Sequence, residues 1–576
     1  MPHTTECHPL GPLSPGGVSR YCVLGLIAVS LALLAGAPAS AQSPAPDPRF
    51  GIVEAFVNSE AASQAGAGYT RIILRWDVIQ PGSGADWKPA NVPDPLVKQE
   101  LAAGREVVAV LIGTPAWASA DGSNDPRAVP NMTHWEHFVR HVAQQYRGRI
   151  RHWIIWNEPD VWDAMHPGST WLGSEEDYYR LLKTAYLAIK EEDPTLQVHM
   201  AGLTYFWDQQ HGRRQYLDRL LDVILADPEA TNHGLYFDGV IYHLYYKPLQ
   251  APQIIGEIQS ILGGHGVTAR ELWINETNAP PSEDAQEPPR AAPRFRVSLL
   301  EQSAFVIQEF SLAFAAGANR VEFYKLRNSS DHPENAEPYG MLRGDDSRRP
   351  VFNAYRAMTT YLGHFRSARW ERFGHVQVVT FDRGDTTTTV LWSVGRAATR
   401  FTINAIAPQA TLVDEQGNEQ LLTAVEGTYT IDLAGAACTE PNDCFIGGAP
   451  RLLVEAGAPG ARPGIIPVAL LTPTPTPTAP ATAPTLASTP SPASATTTST
   501  PAPLPTATSP TPPTTAPATP AARQIAQSSP LPTPLPAITP LSILTPPRCL
   551  VLGLVGLGVF IVTYGLQLAI IRRLRR

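Results

Sequence analysis

Two glutamates in this chain stand where an apolar run ends. Residues 152–160 read HWIIWNEPD, so Glu158 follows Ile154, Ile155, Trp156 and Asn157 and precedes Pro159. Residues 273–278 read WINETN, so Glu276 follows Trp273, Ile274 and Asn275. Two carboxyl groups that face each other can do what neither does alone. Cleavage of a glycosidic bond needs one carboxyl protonated, to give its proton to the departing oxygen, and the other ionised, to attack the anomeric carbon. A nearby cation keeps the second ionised, and a partly desolvated setting keeps the first protonated. Taken singly, Glu158 also fits a solvated loop and Glu276 the neighbourhood of a helix cap, so their weight depends on the elements that carry them.

Those elements alternate. Between about 45 and 365, eight strand-like runs occur in order: FGIVEAF (50–56), TRIILRW (70–76), EVVAVLIG (106–113), IRHWIIWN (150–157), LQVHMAGL (196–203), FDGVIYHLY (237–245), ELWINE (271–276) and NRVEFYKL (319–326). Most are continuously apolar, as parallel strands buried on both faces must be. Helical patterns lie between them, at 134–146, 174–192, 214–225 and 300–317, with Ser174 placed as an N-cap and Gly317 as a stop. The pattern predicts a (β/α)8 barrel, an α/β fold. An open doubly wound sheet would bring a glycine-rich phosphate-binding first turn, which FGIVEAFVNSEAAS (50–63) lacks. In a barrel the C-terminal strand ends share one mouth. That mouth would carry Arg75, Trp117 after Pro115, Asn157 with Glu158, His243 with Tyr245, and Asn275 with Glu276. Each admits a plainer role: Arg75 as an internal ion pair, His243 and Tyr245 as packing, Trp117 as a cap on the barrel core.

WNEP at 156–159, the glutamate of WINETN, RW at 75–76, TPAW at 114–117 and HLY at 243–245 together resemble the clan A retaining glycoside hydrolases. RWDVIQPGSGADW (75–87) and VLIGTPAWAS (110–119) are similar to the β-xylosidase and α-L-iduronidase branch, family 39, more than to the family 5 cellulases. The resemblance covers the barrel and the region after it. It implies Glu158 as general acid/base, Glu276 as nucleophile, and net retention through a covalent glycosyl-enzyme. It implies Asn157 on the sugar 2-hydroxyl, Arg75 and Tyr245 orienting and ionising Glu276, and His243 and Trp117 lining the sugar subsite. It asks for no cofactor or metal. Many clan members end strand 8 in a tryptophan; here EFYKLRN (322–328) offers Tyr324 or Lys325, which leaves the sugar open.

Beyond the barrel the composition changes. Residues 366–456 read as short strands and polar turns, with a hairpin across Arg383-Gly384-Asp385, and predict a small antiparallel β-sandwich. Cys438 and Cys444 in CTEPNDC are candidates for a local disulfide. From 457 to 547 the chain is rich in Pro, Thr, Ala and Ser, with no charge between Thr472 and Ala522; it reads as an extended stalk of a kind suited to O-glycosylation. Leu550 to Ile571 carries no charge and is followed by Arg572-Arg573-Leu574-Arg575-Arg576, which predicts a transmembrane helix over 548–571 with its basic tail, 572–576, in the cytoplasm. At the other end, Arg20, the apolar run to Leu34 and Ala39-Ser40-Ala41 predict a signal peptide over 1–41. The expectation is therefore a carbohydrate-acting protein on the outer face of the cell membrane. Its net charge of -8, without a basic block in the folded region, gives no footing for nucleic acid, and no segment implies a protein partner. His134, His137 and His141 share a helix face but lack a fourth ligand, so they read as a surface stripe rather than a metal site. The alternative to an enzyme is a carbohydrate-binding or adhesion protein on a retired barrel, which need not keep both glutamates.

Overall fold

The computed structural model describes residues 45–461, except for 269 and the segments 288–293 and 329–337. The signal-like segment, the stalk beyond 461, the apolar run 548–571 and the basic tail lie outside the described residues. Among the described residues no helix is long and apolar enough to cross a membrane.

The eight apolar runs form eight parallel strands: β1 (Phe50–Ile52), β2 (Tyr69–Arg75), β3 (Glu106–Ile112), β4 (His152–Ile155), β5 (Gln197–Leu203), β6 (Gly239–Tyr245), β7 (Glu271–Asn278) and β8 (Arg320–Phe323). They close into a barrel in sequence order, β8 pairing with β1. Alternation along each strand divides the apolar residues between two cores. Tyr69, Val108, Val110, Ile154, Ile241 and Trp273 fill the inside. Their neighbours Ile72, Leu74, Ala109, Leu111 and Ile155 pack outward against the helices. That two-sided burial is why the strands read as unbroken apolar runs.

Local signals set the helix ends. Helix Glu175–Glu192 starts at Ser174, whose hydroxyl accepts from the Asp177 N–H while Asp177 reaches back, and Ser298 with Glu301 does the same for helix Leu299–Ala315. The His134–His141 stripe packs on aromatic rings: His141 stacks on Trp87 at 3.9 Å and His134 lies edge-on to Trp117 at 5.1 Å.

The second region consists of β9 (Ser367–Phe373), β10 (Val376–Asp382), β11 (Thr386–Ser393), β12 (Thr399–Asn404), β13 (Gln409–Asp414), β14 (Glu419–Thr423), β15 (Thr428–Leu433) and β16 (Arg451–Ala456). Six of these form one antiparallel sheet in the order β14-β13-β16-β11-β10-β9, and β12 pairs with β15 alone. The expected sandwich is therefore lopsided. The reason lies in the other face of the large sheet: Val379, Phe381, Val390, Trp392, Val413 and Leu452 join the barrel's own outer core, while Val378, Leu391 and Leu453, one position over, pack under the two-stranded ribbon with Phe401, Ile403, Tyr429 and Ile431. Helix Leu299–Ala315 is caught between barrel and sheet, so it is buried on every face from Glu301 to Phe314. Gln308 pins it, donating to the Gly448 carbonyl at 3.0 Å and accepting from the Gly447 N–H at 3.1 Å. Cys438 and Cys444 are joined by a disulfide.

Phe310 is fully buried on that helix among Phe50, Phe314 and Tyr355. Phe310→Ala should lower unfolding stability by about 3–5 kcal/mol, measured by denaturant melts. A loss under about 1 kcal/mol would mean that this helix is not part of a shared core.

Candidate active site

The backbone at HWIIWNEPD explains how Glu158 reaches the barrel mouth. β4 ends at Ile155, before Pro159 can act, because Trp156 turns left-handed with φ 75, and Glu158 does so again with φ 43. Such conformations cost about 1–3 kcal/mol each outside glycine and need support. Trp156 supplies it: it is fully buried, its N–H donates to the Leu111 carbonyl at 2.9 Å, and its indole N–H donates to the Thr170 carbonyl at 2.9 Å. The Glu158 N–H donates to the Gly202 carbonyl at 2.9 Å. The carboxylate then meets His243 Nδ1 at 2.6 Å.

Glu276 is aimed by a bulge. β7 pairs with β6 at Tyr242↔Ile274 and resumes at His243↔Glu276, leaving Asn275 unmatched. Against β8 the pairing likewise passes from Ile274↔Val321 to Thr277↔Phe323. The extra residue inverts the alternation, so Glu276 and not Asn275 takes the inward place after Trp273.

Around Glu276 the side chains of β2 and β6 converge. The Arg71 guanidinium donates to Oε1, the Tyr245 O–H donates to Oε2 at 2.6 Å, and His243 Nδ1 lies 3.7 Å from Oε2. Burial works to raise the Glu276 pKa, but Arg71, then His243 and Tyr245, outweigh it and hold the group at about 2. Burial pulls His243 the other way, and the two glutamates overcome it, raising its affinity for a proton. His243 fits only because residue 202 is glycine: a Cβ there would lie 2.0 Å from its Nε2. One oxygen of Glu158, one of Glu276 and a nitrogen of His243 all lie within 4.8 Å of one another. Glu322 is wholly buried on β8, and burial pushes it up to about 8 although Arg71 pulls it down.

The structure redistributes some of the expected roles. Arg75 does not hold Glu276; its guanidinium pairs with Asp77 at 2.9 and 2.6 Å. Arg71, four residues earlier on the same face of β2, takes the role. The sequence favoured the arginine nearest the strand end, whereas Glu276 sits deeper in the mouth. Trp117 does not line the site either: it is half-buried, donates to the Gln80 carbonyl at 2.6 Å and lies edge-on to Trp76. Asn157, Tyr245, Arg75 and Tyr324 line the same cavity as Glu276, and His243 and Tyr245 line the adjoining one. Of the two strand-8 candidates Tyr324 faces the cavity, while Lys325 is buried beside Glu54 at 3.3 Å.

Among the described residues, two clusters have metal-ligand atoms close together. In Glu158–His243–Glu276 the Arg71 cation already occupies the charge role. In His152–His199–Glu271, on the inner barrel wall, His152 Nδ1 and His199 Nε2 bond each other at 3.0 Å, and the Arg320 guanidinium sits 3.2 Å from His152 Nε2. Burial, and then Arg320, push these two histidines down to about 2 and about 3, so they are neutral beside a fixed positive charge that opposes a metal ion.

Arg71→Met should raise the Glu276 pKa by about 1–3 units, while Arg75→Met should leave it in place. Carboxyl titration by 13C NMR of glutamate-labelled protein, assigned with Glu276→Gln, reads the difference; equal shifts would overturn the assignment. Because the folded-state value is depressed, the pair stabilises the fold fully above the ordinary 4.5, and the contribution is lost as pH falls towards about 2.

No protein-family model matches the chain. Among curated proteins, a β-xylosidase from Caldicellulosiruptor saccharolyticus is 36% identical over 66 residues, which is 11% of this chain and 12% of that protein's length. Among solved structures, a family 39 glycoside hydrolase from the gut symbiont Bacteroides cellulosilyticus WH2 has a TM-score of 0.54 at 18% identity, covering 71% of this chain and 81% of its own. A family 39 β-xylosidase from Caulobacter crescentus has a TM-score of 0.50 at 13% identity, covering 72% and 98%. At such identities the likeness is one of fold: this chain folds similarly to family 39 glycoside hydrolases.

Proposed function

We propose that the chain is a glycoside hydrolase that cleaves O-glycosidic bonds of oligo- or polysaccharides with net retention, using Glu276 as nucleophile and Glu158 as acid/base. The observation that carries this reading is the pair itself: two carboxylates with oxygens within 4.8 Å, one held ionised by Arg71 and Tyr245, the other bonded, among the described residues, to a histidine with raised proton affinity. Retaining pairs stand about 5–5.5 Å apart and inverting pairs about 6.5–9.5 Å, because inversion must fit a water beside the sugar. In the first step a Glu276 oxygen bonds to the anomeric carbon as the bond to the leaving oxygen breaks, and that oxygen takes the proton from Glu158. In the second, water attacks the same carbon, gives its proton to Glu158, and releases the Glu276 carboxylate. His243, 2.6 Å from Glu158, shares the proton that this cycle moves. Asn157 lines the same cavity as Glu276, where a sugar 2-hydroxyl would lie. The short match to a β-xylosidase makes β-xylosides the first substrates to try.

On a panel of aryl and unsubstituted glycosides, Glu158→Ala should slow hydrolysis by about 10²–10⁴-fold on unactivated substrates and less where the leaving group departs without a proton. Glu276→Ala should abolish turnover on both. Proton NMR of the first-formed anomer should show retention. Binding of glycans without cleavage of any, or variants as active as the parent, would favour the non-catalytic alternative.

We further propose that this enzyme works outside the cell, held to the membrane through 548–571. Removing Leu550–Arg576 should move activity from the membrane fraction to the medium; activity that stays in the cytoplasm would contradict the reading.

A further inference from the structure

The cavity at the barrel mouth has two lobes, and the two glutamates divide them unequally. Glu276 lines only the lobe of about 620 Å³, together with Arg71, Asn157 and Tyr324. Glu158 lines that lobe and a second of about 760 Å³. In the displacement described above, the nucleophile faces the sugar it captures and the acid faces the oxygen that departs. The lobe that Glu158 reaches and Glu276 does not is then the leaving side. We propose that this second lobe is a binding site for a sugar unit on the leaving side, so that the enzyme acts on oligo- or polysaccharide chains and not mainly on small glycosides. This inference rests on the assignment of Glu158 and Glu276.

The walls of the lobe have the chemistry that a neutral sugar needs. A pyranose presents C–H groups on its ring faces and hydroxyls at its edges, so it asks for an aromatic surface with amides or cations around it. Phe206 and Trp207 form one wall and Phe295 stands in another, with Gln209, Gln210 and Gln250 supplying carboxamides. The Trp207 ring is held by His166 at 4.5 Å and His211 at 4.4 Å, which fixes it as a platform. Among the described residues, the Trp207 indole N–H and the Gln250 carboxamide oxygen, one donor and one acceptor, are buried without a hydrogen-bond partner. The volume falls within the ~300–1,000 Å³ usual for small-molecule sites.

The part of the lining that carries Phe295 and Tyr246 is braced by the second region of the chain. Phe445, just after the disulfide loop, packs on Phe295 at 5.2 Å and on Tyr246 at 6.4 Å. Asp443 within that loop pairs with Lys247 at 2.6 Å, and Glu440 accepts from the Arg296 N–H at 3.1 Å. The loop closed by Cys438 and Cys444 thus shapes the leaving-side lobe without touching the glutamates.

The test uses matched pairs of substrates with one glycone: a glycosyl fluoride, whose leaving group fills none of the lobe, and the corresponding disaccharide and trisaccharide, for xylose, glucose, galactose and mannose. On the glycone that is cleaved, Trp207→Ala should lower kcat/KM for the oligosaccharides by about tenfold or more and leave the fluoride within about twofold. Gln250→Ala, at a half-buried lining residue on another element, should act in the same direction more weakly and guards against misfolding of the first variant. An equal fall on both substrate types, or no fall on the oligosaccharides, would overturn the lobe assignment. Unimpaired fluoride hydrolysis by Glu276→Ala, or no cleavage of any pair, would overturn the catalytic reading beneath it instead.

Discussion

A carboxylate almost wholly withdrawn from water, with a guanidinium against one oxygen and a phenol against the other, is the constraint around which this barrel is arranged. Leaving such a charge unpaired would cost several kcal/mol. Arg71 on β2, Tyr245 on β6 and Glu276 on β7 must therefore arrive at one height. Closure of eight strands in order fixes their neighbours, and the unmatched Asn275 fixes which residue of β7 turns inward. The glycine at 202 then leaves room for His243 to stand between the two acids.

The charged layer does not stop at the mouth. Deeper in the barrel, Arg320 lies over Trp273 and beside the neutral His152–His199 pair, and Glu322 stands wholly buried on the same strand, within the field of Arg71. The interior thus alternates rings with polar groups whose protonation is set by their neighbours. Buried networks of this kind tie the orientation of one side chain to the next. The two mouth glutamates are held differently: Glu276 has a permanent cation and a phenol, whereas Glu158, on a backbone turned left-handed, has the His243 ring at 2.6 Å.

Much of this was legible in the sequence because it depends on burial and on strand ends. Each of the eight apolar runs overlaps its strand, six of them containing it while β2 begins one residue earlier and β7 ends two residues later, and Glu158, Glu276, His243 and Tyr245 converge as a closed barrel requires. What escaped depends on geometry that carries no residue signature. Arg71 and Arg75 occupy equivalent places in the alternation of β2, and only the depth of Glu276 chooses between them. Nothing in WINETN announces an extra residue in the ladder. Pro159 cannot donate to a ladder, yet a tryptophan in an unfavoured conformation ends β4 earlier, held by the Leu111 and Thr170 carbonyls. Trp117 stands near the rim but turns back to the Gln80 carbonyl. The strands of the second region were visible, but not their division into six and two, since that follows from the barrel covering one face of the large sheet.

The position of β16 in that sheet has a mechanical side. It lies between β11 and β13, bonded antiparallel to both, and the chain continues from it towards the proline-rich segment. A pull on the residues beyond does not peel away an edge. It loads an interior strand gripped by two ladders, with Leu452 seated in the core shared with the barrel. Strain entering from that end is spread across sheet, helix and barrel together, so the body would resist as one piece.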